Sequence, residues 1–325
     1  MKKCCFIIPY FGKFPNYFSL FLKSCEHNNE FEWIIFTDCD YKFYIPPNVK
    51  IIKFSFEELK IFVQSRFDFE IIINAPYKLC DYKPAYGYIF EEYIKEYEYW
   101  GHCDLDTIMG DMSNFLTDEF LSKYDKIFCL GHMVIYRNTY DNNRIFMSKI
   151  NNENWYKESF ENEEITIFDE TYKDSKNVNK LFLYNKKRVF QEDWSINFKI
   201  LPTRFVKTTY NYLLNDFEND ERKAIYIWSE GKLLRYYIKE NNLIEEEYLY
   251  MHLQERKMRF SPKILNENTI KIIPNSFEKL EVDTINNSNF NNIKIKKFNL
   301  HFIQFKIKWQ IKKYKRLLKK LGEKK

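Results

Sequence analysis

Glycine is scarce in this chain, with seven residues in 325. Phosphate loops built on glycine are missing accordingly. There is no G-x-G-x-x-G and no G-x-x-x-x-G-K-[ST], which excludes the familiar dinucleotide and nucleoside-triphosphatase loops. No C-x-x-C pair occurs among the seven cysteines, Cys4, Cys5, Cys25, Cys39, Cys80, Cys103 and Cys129, so zinc-finger spacing is absent. An odd number of thiols, most of them inside apolar runs, points to reduced, buried cysteines and a cytosolic protein. No segment approaches the roughly 20 apolar residues of a spanning helix. The opening Met1 to Pro9 has too short an apolar stretch, and no small-residue cleavage site, for a signal peptide.

What the chain has in quantity is core material, 45% hydrophobic and 19% aromatic. Its formal charge of +5 is unevenly spread. From Lys296 to Lys325 there are 12 Lys and Arg against one acid, Glu323, a net of +11, which leaves the body at −6. Such asymmetry concerns partners rather than fold.

Hydrophobic patterning gives the expected elements. Cys4 to Pro9, Trp33 to Phe36 and Val49 to Phe54 read as buried strands, and Tyr17 to Cys25 as a helix. Ser55 is placed to cap a further helix. Pro84 suits the first turn of a helix over Ala85 to Tyr97. Tyr99 to Cys103, Lys126 to Leu130, Met133 to Tyr136 and Leu249 to Leu253 follow as strands, and Ile264 to Val282 as short β segments. Strands alternating with helices predict an α/β fold with a mostly parallel sheet. One domain is expected over 1–283. Residues 284–325 are expected to hold an Asn-rich linker and a basic tail. Gly12, Gly101, Gly110 and Gly131 fall near strand ends, where open α/β sheets bind ligands. For any one of them ordinary turn punctuation is the simpler explanation.

The chemistry centres on Trp100-Gly101-His102-Cys103-Asp104-Leu105-Asp106. Residues two apart in extended chain share a side, so Asp104 and Asp106 project together from a strand end. Converging carboxylates repel unless a cation lies between them, and Mg²⁺ or Mn²⁺ prefers such oxygen ligands. The spacing alone is weak, since Asp38-Cys39-Asp40 repeats it. The preceding hydrophobic strand, the flanking glycines and Asp111 single out the second copy.

Lys78-Leu79-Cys80-Asp81-Tyr82-Lys83-Pro84-Ala85, with Tyr99 to Asp106 beyond a helix, resembles the sugar-binding region of D-x-D glycosyltransferases of the Rossmann-like GT-A fold. There a K-x-x-D…R segment leads to a G-x-Y-x-D-x-D strand. Ile7 to Gly12 and Phe36-Thr37-Asp38 resemble a bacterial family linked to capsule and surface-glycan synthesis. Lys83 stands near where an arginine is usual, and His102 and Cys103 replace the usual strand residues.

The resemblance implies a single nucleotide-sugar-binding domain. It implies transfer from a nucleoside-diphosphate sugar, most commonly a uridine diphosphate sugar, to a glycan or lipid-linked glycan acceptor. It assigns Tyr10, Thr37 and Asp38 to the nucleoside, Asp81 and Lys83 to the donor sugar or diphosphate, and Asp104 and Asp106 to the Mn²⁺ or Mg²⁺. A late histidine completes the metal site in this class of fold, and His252 is the candidate. A half-buried histidine bonded to a carbonyl is an equal reading. Arg256 and Lys257 are placed to reach phosphate. Asp169 and Glu170 are the first candidates for an acceptor-activating base. Gln191-Glu192-Asp193-Trp194 is the rival, and a retaining enzyme needs no such base. His132 either lines the acceptor cleft or packs in the core.

In the tail, Phe302, Ile303, Phe305, Ile307, Trp309, Ile311, Tyr314, Leu318 and Leu321 recur at helical steps among Lys306, Lys308, Lys312, Lys313, Lys315 and Arg316. Such a basic amphipathic helix suits an anionic membrane surface, which places the enzyme peripherally on the inner face of the membrane. A helix packed on the body is the blander alternative. Nucleic acid, also attracted by clustered lysines, is not the expected partner. The competing functions are a non-catalytic polyanion-binding protein and a metal-dependent phosphohydrolase.

Overall fold

The computed structural model describes residues 2–201, 204–254, 256–296, 303–304, 307–311 and 313. The fold is mixed α/β, with three sheets. In chain order the strands are β1 Lys2–Pro9, β2 Phe31–Thr37, β3 Val49–Lys53, β4 Tyr97–Cys103, β5 Thr107–Met109, β6 Lys126–Ile127, β7 Met133–Arg137, β8 Val189–Phe190 and β9 Ser195–Phe198. They continue with β10 Lys207–Asn211, β11 Asp216–Asp220, β12 Ala224–Ser229, β13 Lys232–Lys239, β14 Asn242–Tyr248, β15 Tyr250–His252, β16 Thr269–Ile273 and β17 Ser276–Lys279.

The first sheet has the order β3-β2-β1-β4-β7-β6-β8. All of its strands run the same way except β7, which is antiparallel to both β4 and β6. Cys4 to Ile8 in β1 and Trp33 to Phe36 in β2 are unbroken apolar runs because both faces are covered there. Cys4, Phe6 and Ile8 pack on one side with helix α1, Phe18–Glu26, through Phe18, Phe21 and Cys25. Cys5 and Ile7 pack on the other with helix α2, Phe56–Gln64, through Leu59 and Val63. Ser55 caps α2 in a reciprocal box with Glu58.

The helix expected over Ala85 to Tyr97 is different. A 3₁₀ stretch, Pro76–Ala85, carries Pro84 inside it, and two single turns follow at Tyr86–Ile89 and Glu91–Ile94. Proline has no amide to give to an α-helix and disfavours α geometry before it, so the tighter winding persists. Gly87 is required here, since a Cβ would lie 2.3 Å from the Trp100 ring.

The second sheet, β11-β10-β9-β15-β5, and the third, β14-β13-β12-β16-β17, pack face to face through Ile108, Ile196, Phe198, Tyr226, Trp228 and Met251. The third is antiparallel throughout. The mostly parallel description therefore holds for the first sheet and not for the molecule.

The expected linker is part of the body. Phe290 and Ile293 are buried with Leu280 against Ile225, Ile227 and Leu234, the outer face of the third sheet. Asn286 and Asn289 form local turns that bring the chain back. Phe290→Ala is expected to cost about 3–5 kcal/mol in chemical denaturation; an unchanged midpoint would restore the linker reading.

Of the tail, residues 303–304, 307–311 and 313 are helical, and Ile303, Ile307, Trp309 and Ile311 are exposed rather than packed on the body. Phe302, Phe305, Lys306, Lys312, Tyr314, Lys315, Arg316, Leu318 and Leu321 lie outside the described residues. No helix among the described residues is long and apolar enough to cross a membrane. Cys80 is half-buried and the other six cysteines are buried, all as free thiols.

Candidate metal centre

β1, β2 and β4 are parallel neighbours, so their ends at Pro9, Thr37 and Cys103 open on one edge of the first sheet. Asp104-Leu105-Asp106 links β4 to β5. β5 pairs antiparallel with β15, setting His252 opposite Thr107, and the Leu253 amide donates to the Asp106 carbonyl at 2.9 Å. This pairing brings the late histidine onto the early aspartates. His252 Nε2 lies 3.4 Å from Asp106 Oδ1 and 3.9 Å from Asp104 Oδ2. One ligand atom from each of the three residues fits within 4.8 Å of the others.

The donor set fits a hard divalent cation. Two carboxylates and one imidazole converge, and His252 Nδ1 faces Asn197 Oδ1 at 3.3 Å, the outer hydrogen bond that orients a metal-binding histidine. Burial pulls the His252 pKa down, but Asp106 and Asp104 outweigh it and hold it above its usual value.

Lys83 enters from the 3₁₀ stretch. Its ammonium donates to Asp104 Oδ1 and to the Gly131 carbonyl, both at 2.8 Å, and lies 3.7 Å from Asp169 Oδ2. Burial opposes its charge, yet Asp104 and Asp169 keep its pKa well above the ordinary lysine value. Asp104, Lys83 and Asp169 thus form a continuous polar row.

Asp169 is buried, and burial pushes its carboxyl up to about 8, with Lys83 opposing and Glu170, Asp81 and Asp104 adding to the rise. A carboxyl raised toward neutral pH can take or give a proton there, as an acceptor-activating base must. For an acid whose folded pKa exceeds its unfolded value of about 4, the folded state binds the extra proton between the two. Stability then declines as pH rises from about 4 to 8. Asp169→Asn is expected to flatten this limb in denaturation curves taken across that range; an identical slope in the variant would contradict the shift. Glu170 is also committed, its Oε2 accepting from the Gly131 amide at 2.9 Å.

His132 faces the same site. Its Nδ1 is 2.7 Å from the Tyr250 hydroxyl, and its ring stacks on His252 with centroids 4.5 Å apart. Its Nε2 is buried without a hydrogen-bond partner among the described residues. Burial holds its pKa well below the usual value, with His252 and Lys83 adding to the effect, so the ring is neutral.

Other expected site residues are placed differently. Asp81 is fully buried. Its Oδ2 accepts from Lys78 Nζ at 2.8 Å and the Thr166 amide at 3.0 Å, and its Oδ1 from the Phe168 amide at 3.0 Å. Asp81 therefore anchors the loop before Asp169 and does not reach a ligand. The same commitment argues against a second metal site, although Cys80, Asp81 and Asp169 also approach one another. Thr37 is buried, its hydroxyl accepting from the Cys39 amide. Arg256 donates to the carbonyls of Leu201 and Lys199 at 2.6 and 2.7 Å and lies over the Phe198 and Phe205 rings. It pins the 199–201 segment instead of reaching for phosphate, while Lys257 is exposed.

Asp38 is exposed at the end of β2, and its Oδ1 accepts from the Gly12 amide at 3.4 Å. Tyr10 is half-buried, stacked on Phe14, and donates to the Lys13 carbonyl. In the rival pair, Asp193 accepts from Ser195 and the Tyr210 amide, holding β9 to β10, and Glu192 is exposed. Sequence reasoning missed Asn197 and gave Tyr250 no role. Tyr250 shares a strand face with His252, a readable signal; Asn197 has none.

A family model described as a family of unknown function, DUF6625, matches residues 6–281. The chain belongs to this family. No curated protein matches the sequence. The DUF6625 span holds every site residue from Tyr10 to Lys257 and ends before the basic tail.

Proposed function

We propose that the protein is a metal-dependent glycosyltransferase of the GT-A type, taking a nucleoside-diphosphate sugar to a surface-glycan acceptor. The observation that carries this reading is the meeting of Asp104, Asp106 and His252 at the carboxyl edge of a mostly parallel sheet. That edge is where α/β folds bind nucleotides.

The three residues would hold Mn²⁺ or Mg²⁺, which supplies charge neutralisation to a departing diphosphate. Lys83 adds a fixed, partly desolvated cation beside Asp104, where it both limits carboxylate repulsion and faces anionic ligand oxygens. Asp38 and Tyr10, on the adjoining strand ends, flank the nucleoside side. Asp169, its carboxyl pKa raised by burial, lies next to Lys83. The Gly131–Glu170 bond fixes the turn that carries His132. The exposed apolar residues of the basic tail favour a place on an anionic membrane surface, at its inner face, where a lipid-linked acceptor would be met.

The test is thermal stabilisation by a panel of nucleoside diphosphates with and without Mn²⁺. Stabilisation by one of them, in the presence of metal only, is expected. A folded protein that responds to none of them would end this reading.

A further inference from the structure

A cavity of about 410 Å³, in the size range of small-molecule sites, lies between β10 and β11 of the second sheet and β13 and β14 of the third. Strand pairing fixes which way it faces. Lys207 lies opposite Phe198, one of the residues packed between the two sheets. Its neighbour Thr208 lies opposite Asn197, which reaches His252. Successive side chains alternate across a sheet, so the cavity and the metal centre lie on opposite faces of the second sheet.

The floor is charged and largely shut off from water. Lys207 is 7% exposed and Arg235 2%. Arg235 donates to Glu246 Oε2 at 3.1 Å and to Asp220 Oδ2, and its Nε has no partner among the described residues. Asp220 also takes Arg222 Nε at 2.8 Å, and Glu246 takes the Tyr237 and Tyr248 hydroxyls, both at 2.7 Å. Lys207 is different. Its ammonium donates to the Thr209 hydroxyl and lies over the Tyr248 ring, and no carboxylate pairs with it among the described residues. A desolvated ammonium with hydrogens to spare is costly unless an oxygen meets them, and the cavity gives such an oxygen room. Glu218, Asn219 and Glu221 stand exposed around the mouth.

The walls select the kind of ligand. An anion entering here would meet Glu218, Asp220, Glu221 and Glu246, and a cation would meet Lys207, Arg222 and Arg235. The two signs nearly cancel, so neither charge is favoured. An apolar ligand would strip water from all of these groups. An uncharged ligand rich in hydroxyls avoids each cost, because a hydroxyl both donates and accepts. It gives hydrogens to the carboxylates while taking those of Lys207, and hydrogen bonds to charged groups are the stronger kind. We infer that this cavity binds a neutral saccharide, with Lys207 as its central donor. Holding a glycan away from the reacting end is the use it would have under the proposed function; the binding itself does not rest on that reading.

The experiment is a saturation-transfer NMR titration of the full chain in EDTA, with maltose, lactose and cellobiose as neutral probes and glucuronate and glucosamine as charged ones. At least one neutral disaccharide is expected to bind, and wild type and Asp106→Ala are expected to bind it equally. Lys207→Met is expected to weaken that binding about tenfold or more. The Glu218→Ala/Asn219→Ala double variant, altered only at exposed positions, is expected to weaken it about threefold or more while keeping the wild-type melting temperature. It decides the matter if Lys207→Met does not fold. Binding of no neutral probe, or of glucuronate or glucosamine alone, would overturn the inference. So would unchanged affinity in either cavity variant that folds. Loss of binding in Asp106→Ala would also overturn it, by putting the sugar at the metal centre. Failure of nucleotides to stabilise the protein would sink the glycosyltransferase reading and leave this result standing.

Discussion

Asp106→Ala is expected to abolish nucleotide-induced stabilisation while leaving the unliganded protein folded. At a ligand concentration of ~100 times its dissociation constant, wild type should gain about 2.7 kcal/mol, and the variant none. The reasoning starts from geometry. Asp106 is the nearer carboxylate to His252 Nε2, at 3.4 Å, whereas Asp104 already shares one oxygen with Lys83. Removing Asp106 leaves Asp104 and His252 as the only two of the three donors, with the lysine cation still beside them. Metal affinity, and any affinity routed through a metal, should collapse. The measurement is a melting series with Mn²⁺ and the responsive nucleoside diphosphate. A variant that kept the full shift would show that nucleotide binding does not involve this cluster.

Asp81→Ala is expected to destabilise the fold by about 3–5 kcal/mol, the cost of leaving a buried lysine without its counter-ion. Lys78 and Asp81 are both essentially inaccessible to solvent. The backbone gives a further reason. Ile167 has a positive φ of 60°, an uncommon geometry for a β-branched residue. It is bracketed by the Thr166 and Phe168 amides, both bonded to Asp81. Without the carboxylate nothing gathers those amides, and the loop that delivers Asp169 and Glu170 should relax. Chemical denaturation reads the stability loss directly. If Asp81 instead bound the donor sugar, its removal would change ligand response and leave the denaturation midpoint in place.

Asp81 also shows where reading a sequence stops. A K-x-x-D segment looks the same whether its acid meets a sugar or a buried lysine three residues away, and only burial separates the two. The strands of the first sheet were legible because they are buried on both faces and carry unbroken apolar runs, as in Cys4 to Pro9. The aspartate pair was legible from its two-residue spacing at a strand end. β13 and β14 were not read as strands because Arg235 and Glu245 to Glu247 interrupt their apolar residues, while β12, a buried apolar run from Ala224 to Trp228, carried the same signal as the first sheet's strands. The segment at 284–292 was misread because its asparagines mark turns, while Phe290, the residue that decides its place, is a lone apolar signal. Asn197 has no signal at all: its role exists only because β9 lies parallel to β15.

The register between β5 and β15 has a consequence for biosynthesis. The aspartates emerge from the ribosome well over a hundred residues before His252, and the strand that carries His252 is last to join its sheet. A nascent chain stalled anywhere in between exposes paired carboxylates with no imidazole to complete them. The proposed metal site is therefore complete only after His252 has been made, 146 residues after Asp106. A premature stop between residues 190 and 252 would yield a product with the first sheet's residues all present and no His252 to join the aspartates.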